Sequence, residues 1–262
     1  MKSVHILEVE NLAIGYGKDS SAIKIAEGID FTLDKGEFVL ILGCNGAGKS
    51  TLLRTLSAVQ KPLGGRVEIC GEDIFETSPR QLAQRVSAVF TDKTMAGGLL
   101  VEEVVALGRY PYTDFWGKLG AEDREAVQSS LSLVGMAHKS KRYLSQLSDG
   151  ERQKVMIAKA LAQQTPLIIL DEPTAFLDLP SRIEILYLLK RLAKEESKTI
   201  MLSTHDVEQS LAVADKLLLL GEDGLKFKST SEAIESGDVT KLFESRGVVF
   251  DINTRRFIPK QK

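Results

Sequence analysis

The sequence predicts an α/β fold: a core with a mixed sheet, an antiparallel β subdomain at the N-terminal end, and a helical lobe inserted in the core. Three observations carry that expectation. The apolar runs Phe38–Leu42, Leu167–Leu170 and Thr199–Ser203 are short and nearly unbroken, as strands buried on both faces are. Ile6–Val9 and Ile29–Leu33 instead alternate with period two, as antiparallel strands with one wet face do. Between about 92 and 160 the period changes again. Residues 101–107, 121–134 and 151–163 repeat apolar positions every three or four residues with no strand pattern between them.

Taken in order, Ile14-Gly15-Tyr16-Gly17 is a turn with a lone aromatic; Tyr16 either covers the edge of the core or stacks on a nucleotide base, and position alone favours the first. Gly43-Cys44-Asn45-Gly46-Ala47-Gly48-Lys49-Ser50-Thr51 reads G-x-x-x-x-G-K-S between a strand run and Leu52, Leu53 and Leu56 at helical spacing. That context makes the core a P-loop NTPase core. Glycines let backbone N–H groups close around a polyphosphate, and the helix N-terminus adds partial positive charge. Lys49 is expected on the β- and γ-phosphates, Ser50 on a magnesium ion, and Thr51 in a further polar contact. Gly64-Gly65 returns the chain to a strand at Arg66–Cys70, and Val86–Phe90 reads as a buried strand.

Inside the lobe, Gly108-Arg109-Tyr110-Pro111-Tyr112 and Phe115-Trp116 put four aromatics in a loop broken by Gly and Pro. They either anchor a partner, as aromatics and Arg do, or fold back under the lobe. Ser148-x-x-Glu151 fits a capping box, which does not exclude a phosphate site because both use the same exposed amides. Leu167–Leu170 ends in Asp171-Glu172 at the edge where open α/β sheets bind ligands. Asp171 can hold magnesium through water, and Glu172 can take a proton from an attacking water. Residues 181–196 form an amphipathic helix, and the strand 199–203 leads to Thr204-His205-Asp206, which places His205 at the same kind of strand end. Lys216–Gly221 is a further strand.

The chain has 262 residues, with 34 Lys plus Arg against 36 Asp plus Glu, a net charge of −2, so bulk charge gives no reason to expect nucleic acid. Cys44 and Cys70 are expected as free thiols in a reducing compartment. Residues 1–12 carry no secretory pattern, and no run approaches the roughly 20 apolar residues of a spanning helix. The expected organisation is one domain over 3–240, with the lobe at 92–160 inside it, and a short appended element at 241–262 carrying Val248–Ile252 and Arg255-Arg256.

Over residues 5 to about 225 the sequence resembles the ATP-binding subunit of an ABC transporter. The resemblance rests on Leu147-Ser148-Asp149-Gly150-Glu151, some twenty residues before the strand that ends in Asp171-Glu172, which looks like that family's signature motif. It implies an ATPase that binds Mg²⁺-ATP between two copies arranged head to tail, with Ser148 and Gly150 closing over the other copy's phosphates. It implies Tyr16 as the base-stacking aromatic, Ala175-Phe176-Leu177-Asp178 as the D-loop, and His205 as the switch histidine at the γ-phosphate. The implied partners are a membrane permease and, indirectly, a substrate-binding protein; the implied place is the cytoplasmic face of the cell membrane. The loop Gly108–Pro111 with Phe115–Leu119 resembles the iron–siderophore, haem and cobalamin import ATPases. The rival expectation is a non-transport ABC ATPase of DNA repair or translation. Two departures stand out: Asp149 and Glu151 replace a Gly and a Gln of the signature, and Thr91 stands where the family has a magnesium-sensing Gln. The expectation at Thr91 is at most a water-bridged contact, with Asp92 able to take its place.

Overall fold

The computed structural model describes residues 5–17, 21–90, 98–221, 224–244, 247–252 and 254–259. Strand β1 (Leu7–Tyr16) pairs antiparallel with β2 (Ile23–Leu33), from Leu7 opposite Leu33 to Tyr16 opposite Ile23. β3 (Phe38–Gly43) then runs into α1 (Lys49–Leu56). The chain returns to the first sheet through β4 (Gly64–Ile69) and β5 (Glu72–Asp73), giving the order β2-β1-β4-β5. A short α2 (Pro79–Leu82), capped by Ser78, leads to β6 (Val86–Val89).

The lobe follows as α3 (Val101–Ala106), α4 (Ala121–Leu133) and α5 (Asp149–Ala162). Next come β7 (Leu167–Asp171), α6 (Leu179–Glu195), β8 (Thr199–Ser203), α7 (Val207–Leu211), β9 (Lys216–Gly221) and β10 (Gly224–Ser229). The main sheet has the order β10-β9-β3-β8-β7-β6; β10 is antiparallel to β9 and every other pair is parallel. This is the mixed sheet expected, with the antiparallel subdomain beside it.

Period-two geometry explains why the central strands read as solid apolar runs. Successive side chains point to opposite faces, and here both faces are covered. Leu40, Leu42, Ile168, Leu170, Ile200 and Leu202 enter one core with the lobe and α6. Val39, Ile41, Leu167, Ile169 and Met201 enter the other, with α1 and the antiparallel sheet.

The lobe is pinned by Arg109. Arg109 is only 4% exposed, and its guanidinium donates from Nε to Asp123 Oδ1 at 2.9 Å. It also donates from Nη1 to the Ala162 carbonyl at 2.7 Å and to Gln164 Oε1 at 2.8 Å. Tyr112 lies with its ring 3.9 Å from the guanidinium carbon and donates its hydroxyl to the Gln163 carbonyl at 2.9 Å. Burial pushes that phenol above its usual pKa, partly offset by Arg109. Gly108 is required by close approach, since a Cβ there would lie 2.2 Å from the Lys159 carbonyl oxygen. Tyr110, Phe115 and Trp116 go the other way, being 61%, 94% and 85% exposed.

At the C-terminal end the chain forms α8 (Thr230–Glu235), α9 (Asp238–Glu244) and the hairpin of β11 (Val248–Asp251) with β12 (Arg256–Pro259). Neither helix was legible as a periodic pattern, because six or seven residues hold barely two turns. α9 runs across residue 241, where the appended element was expected to start, and its Phe243 meets Phe257 of the hairpin edge to face at 5.0 Å. Asp238 is buried between Lys226 and Lys228, whose hydrogen bonds, with that of Ser236, hold its carboxyl far below the usual carboxylate range. Thr91 and Asp92 lie outside the described residues.

Candidate functional site

Parallel pairing puts the C-terminal ends of β3, β7 and β8 on one edge, and the predicted residues follow them there. The loop 43–48 joins β3 to α1. Gly48 is the N-cap of α1 with φ +95°, and Gly46 has φ +84°, both left-handed conformations open to glycine at little cost. No acidic residue occupies the first turn of α1, so nothing on that turn neutralises the positive end of the helix dipole. Lys49 is buried, and its Nζ donates to the carbonyls of Gly43 at 2.8 Å and Cys44 at 3.3 Å, which folds the ammonium into the loop. The hydroxyls of Tyr16 and Thr51 lie 2.8 Å apart, so Tyr16, which closes β1 paired with Ile23 and does not lie in the turn expected from Ile14-Gly15-Tyr16-Gly17, is tied to the same helix. Tyr16 is otherwise 48% exposed. The Cys44 thiol donates to the Leu242 carbonyl at 3.5 Å, which connects the loop to α9.

Asp171 ends β7 opposite Ser203 of β8. The Ser203 hydroxyl donates to Asp171 Oδ1 at 2.6 Å and accepts the Glu172 amide at 3.0 Å. That amide also donates to the Ser203 carbonyl at 3.1 Å. Glu172 has φ +52°, an unusual value for a residue with a side chain and one that re-aims its carboxylate after the strand. Its Oε1 lies 2.6 Å from His205 Nε2. Ser203 was missed by sequence reasoning. A hydroxyl just after the apolar run Ile200–Leu202, at the C-terminal end of a buried strand, was the available signal.

Ser148 caps α5 and Glu151 reaches back to its amide at 3.2 Å, so the capping box is present. The two departures from the signature are both used locally. Glu151 is paired with Lys139, which holds its carboxyl below the usual value, and Asp149 meets Arg152 at 3.1 Å. Gly150 abuts the start of α6; a Cβ there would lie 3.1 Å from Ser181 Oγ. Asp178 caps α6, accepting from the Ser181 amide at 3.1 Å, and the Ser181 hydroxyl and amide keep its carboxyl below the usual range. The fold therefore brings the phosphate loop, Asp171, Glu172 and His205 to one edge, while Ser148 and Gly150 ride on the lobe, on α5 packed against α3 and α4.

This arrangement can take a polyphosphate at amides and an ammonium, hold a water near a carboxylate, and accept a proton from it. Among the described residues no group of three or more His, Cys, Asp or Glu could cage a metal. The hydroxyl of Ser50 and the carboxylate of Asp171 are hard oxygen donors, and so few protein ligands fit magnesium, which keeps waters and takes its other oxygens from phosphates.

A family model described as ABC transporter matches residues 26–175. The ferric enterobactin transport ATP-binding protein of Escherichia coli is 35% identical over 251 residues, covering 95% of this chain and 91% of that protein. Among solved structures, one described as an inward-facing conformation of a metal-chelate type ABC transporter is 32% identical, with a TM-score of 0.79 over 92% of this chain and 89% of that one. A dimeric ATP-binding cassette in a post-hydrolysis state bound to ADP and Pi is 26% identical, with a TM-score of 0.72 over 86% and 98% of the two chains.

Proposed function

The chain belongs to the ATP-binding subunits of ABC transporters, ATPases whose turnover is coupled to transport, and we propose that it drives import of a metal chelate of the iron–siderophore, haem or cobalamin kind. The observation that carries the reading is the shared edge of β3, β7 and β8, where the phosphate loop lies beside the Asp171–Ser203–Glu172–His205 constellation. Two copies work head to tail, each closing Ser148 and Gly150 over the nucleotide of the other; the likeness to a dimeric cassette supports this.

In each site the loop amides of 43–48 and Lys49 hold the phosphates, Tyr16 stacks on the base, and Thr51 keeps Tyr16 in register through their hydroxyl contact. Ser50 and Asp171 would hold magnesium, whose charge, when it is bound, offsets that of the phosphate oxygens. Glu172 takes a proton from the attacking water. His205 orients Glu172 through their contact and faces the terminal phosphate. Ser203 keeps Asp171 and Glu172 from swinging apart, because one hydroxyl serves both. The opposing signature adds donors to the charge that develops in transfer.

Coupling runs through an integral permease on whose cytoplasmic side the subunit sits, a reading supported by the likeness to a transport ATP-binding protein; among the described residues no helix is long and apolar enough to cross a membrane. The exposed Tyr110, Phe115 and Trp116 supply an anchor for that contact, with Phe115 and Trp116 edge to face at 5.6 Å. Replacing all three with Ala is expected to weaken pull-down by the permease while leaving the melting midpoint within a few degrees, because exposed side chains contribute little to stability. A midpoint lowered in step with lost binding would instead place these rings in the fold.

The test of the whole reading is uptake into vesicles that contain the permease, the binding protein and this chain. A ferric siderophore should accumulate only with ATP inside, and Lys49→Ala should abolish it. Turnover without any solute uptake, together with co-purification on ribosomes or DNA, would favour the non-transport reading.

A further inference from the structure

We infer that Arg182 and Asp206 form a positioning latch for hydrolysis, tying the loop that carries His205 to the segment 173–178 that follows Glu172; this rests on the roles proposed above for those two residues. Asp206 stands at the N-cap of α7, where a carboxylate ordinarily accepts amides of the first turn, yet its side chain caps none of them. Both oxygens turn instead to the neighbouring connection. Oδ1 accepts from Arg182 Nη1 at 2.5 Å, and Oδ2 accepts from the Thr174 hydroxyl at 2.8 Å.

The remaining contacts close the network. Arg182 donates from Nε to the Leu177 carbonyl at 2.7 Å. The hydroxyls of Thr174 and Thr204 lie 3.2 Å apart, and Thr204 Oγ accepts the Asp206 amide at 3.0 Å. Thr174 and Thr204 are buried, and the Asp206 carboxylate is mostly so, which makes these charge-assisted bonds stiffer than their surface equivalents.

What needs stiffening is visible in the backbone. Glu172 and Phe176 both have left-handed φ values, +52° and +65°, and such residues persist only where the surroundings over-determine them. The Glu172–His205 contact spans the same two segments as the Thr174–Asp206 bond, and Arg182, in the first turn of α6, ties Asp206 to Leu177 of the segment after Glu172, so the latch holds in parallel what hydrolysis needs in line. Arg182 and Asp206 bond each other, Thr174 and Leu177; they act through Glu172 and His205. The guanidinium is required for this geometry, because it reaches a carbonyl and a carboxylate at once from one rigid plane.

Steady-state ATPase kinetics of the full chain test the latch, using Arg182→Gln, Asp206→Asn and the double variant. Each single change should lower kcat on the order of tenfold, with the KM for ATP within about twofold, since small displacements of a catalytic group cost rate and not binding. The double variant should be no worse than the singles, because the second change removes a contact already broken. Arg182→Lys should recover part of kcat by restoring the charge opposite Asp206. Melting midpoints separate this from a structural role: a kcat loss matched by loss of folded protein overturns the latch. Losses that multiply in the double variant overturn it too. Wild-type turnover with indistinguishable variants removes the latch alone, whereas a wild-type chain that hydrolyses no ATP removes the underlying reading along with it.

Discussion

Replacing Glu172 with Gln is expected to leave nucleotide binding intact and to lower ATP turnover by about 10²-fold or more, the usual contribution of a general base. The substitution is nearly isosteric. A Gln carbonyl can still accept from His205 Nε2, where Glu172 Oε1 now lies at 2.6 Å, and the backbone bonds from the Glu172 amide to Ser203 are untouched. What disappears is the capacity to take a proton from water, the role proposed for Glu172. On the proposed head-to-tail arrangement, blocked hydrolysis leaves ATP between two copies, so gel filtration in ATP should show a dimer that the wild-type chain does not retain. Phosphate release and equilibrium ATP binding separate the cases. Unchanged phosphate release would take Glu172 out of the mechanism, and lost binding would show that the substitution had disturbed the pocket itself.

Replacing Arg109 with Ala is expected to destabilise the protein by about 3 kcal/mol or more, the usual result of removing one partner of a buried ion pair. Four contacts go at once: those to Asp123, the Ala162 carbonyl, Gln164 and the Tyr112 ring. For a chain of this size that loss corresponds to roughly 6 °C or more in melting midpoint.

The pH dependence follows from Asp123. Its carboxyl is held below the usual range first by the Gly120 amide, at 2.8 Å, and then by Arg109. A depressed carboxylate contributes stability that is full above its unfolded pKa and is lost as pH falls through the folded value. The share due to Arg109 is therefore present at neutral pH, and the gap between wild type and variant should narrow below about pH 4. Melting curves at neutral and acid pH check this. A neutral-pH loss under about 1 kcal/mol would mean that the lobe is anchored elsewhere.

Much of the site was legible because its parts are local. A glycine-rich turn between an apolar run and a helical period, and carboxylates or a histidine just past buried runs, can each be read within ten residues. Parallel strands then carry all of them to one edge whatever their order. So the phosphate loop, Asp171, Glu172 and His205 needed no tertiary information to be grouped.

The rest depended on partners distant in the chain. That Ser203 faces Asp171 is a matter of register between β7 and β8, 32 residues apart, and register is not a property of either strand alone. For the loop that carries Arg109 the sequence left two readings open, an anchor for a partner or a fold back under the lobe. The direction of Arg109 was decided by Asp123 and by the end of α5, which offered a carboxylate and two oxygens inside the lobe. Asp206 likewise stands at the N-cap of α7 and yet forms half of an ion pair, because Arg182 and Thr174 lie across from it. Hydrophobic period is a local quantity and survives in the sequence. A polar side chain takes whichever partner the fold leaves within about 3 Å, and that choice exists only once the strands have been ordered.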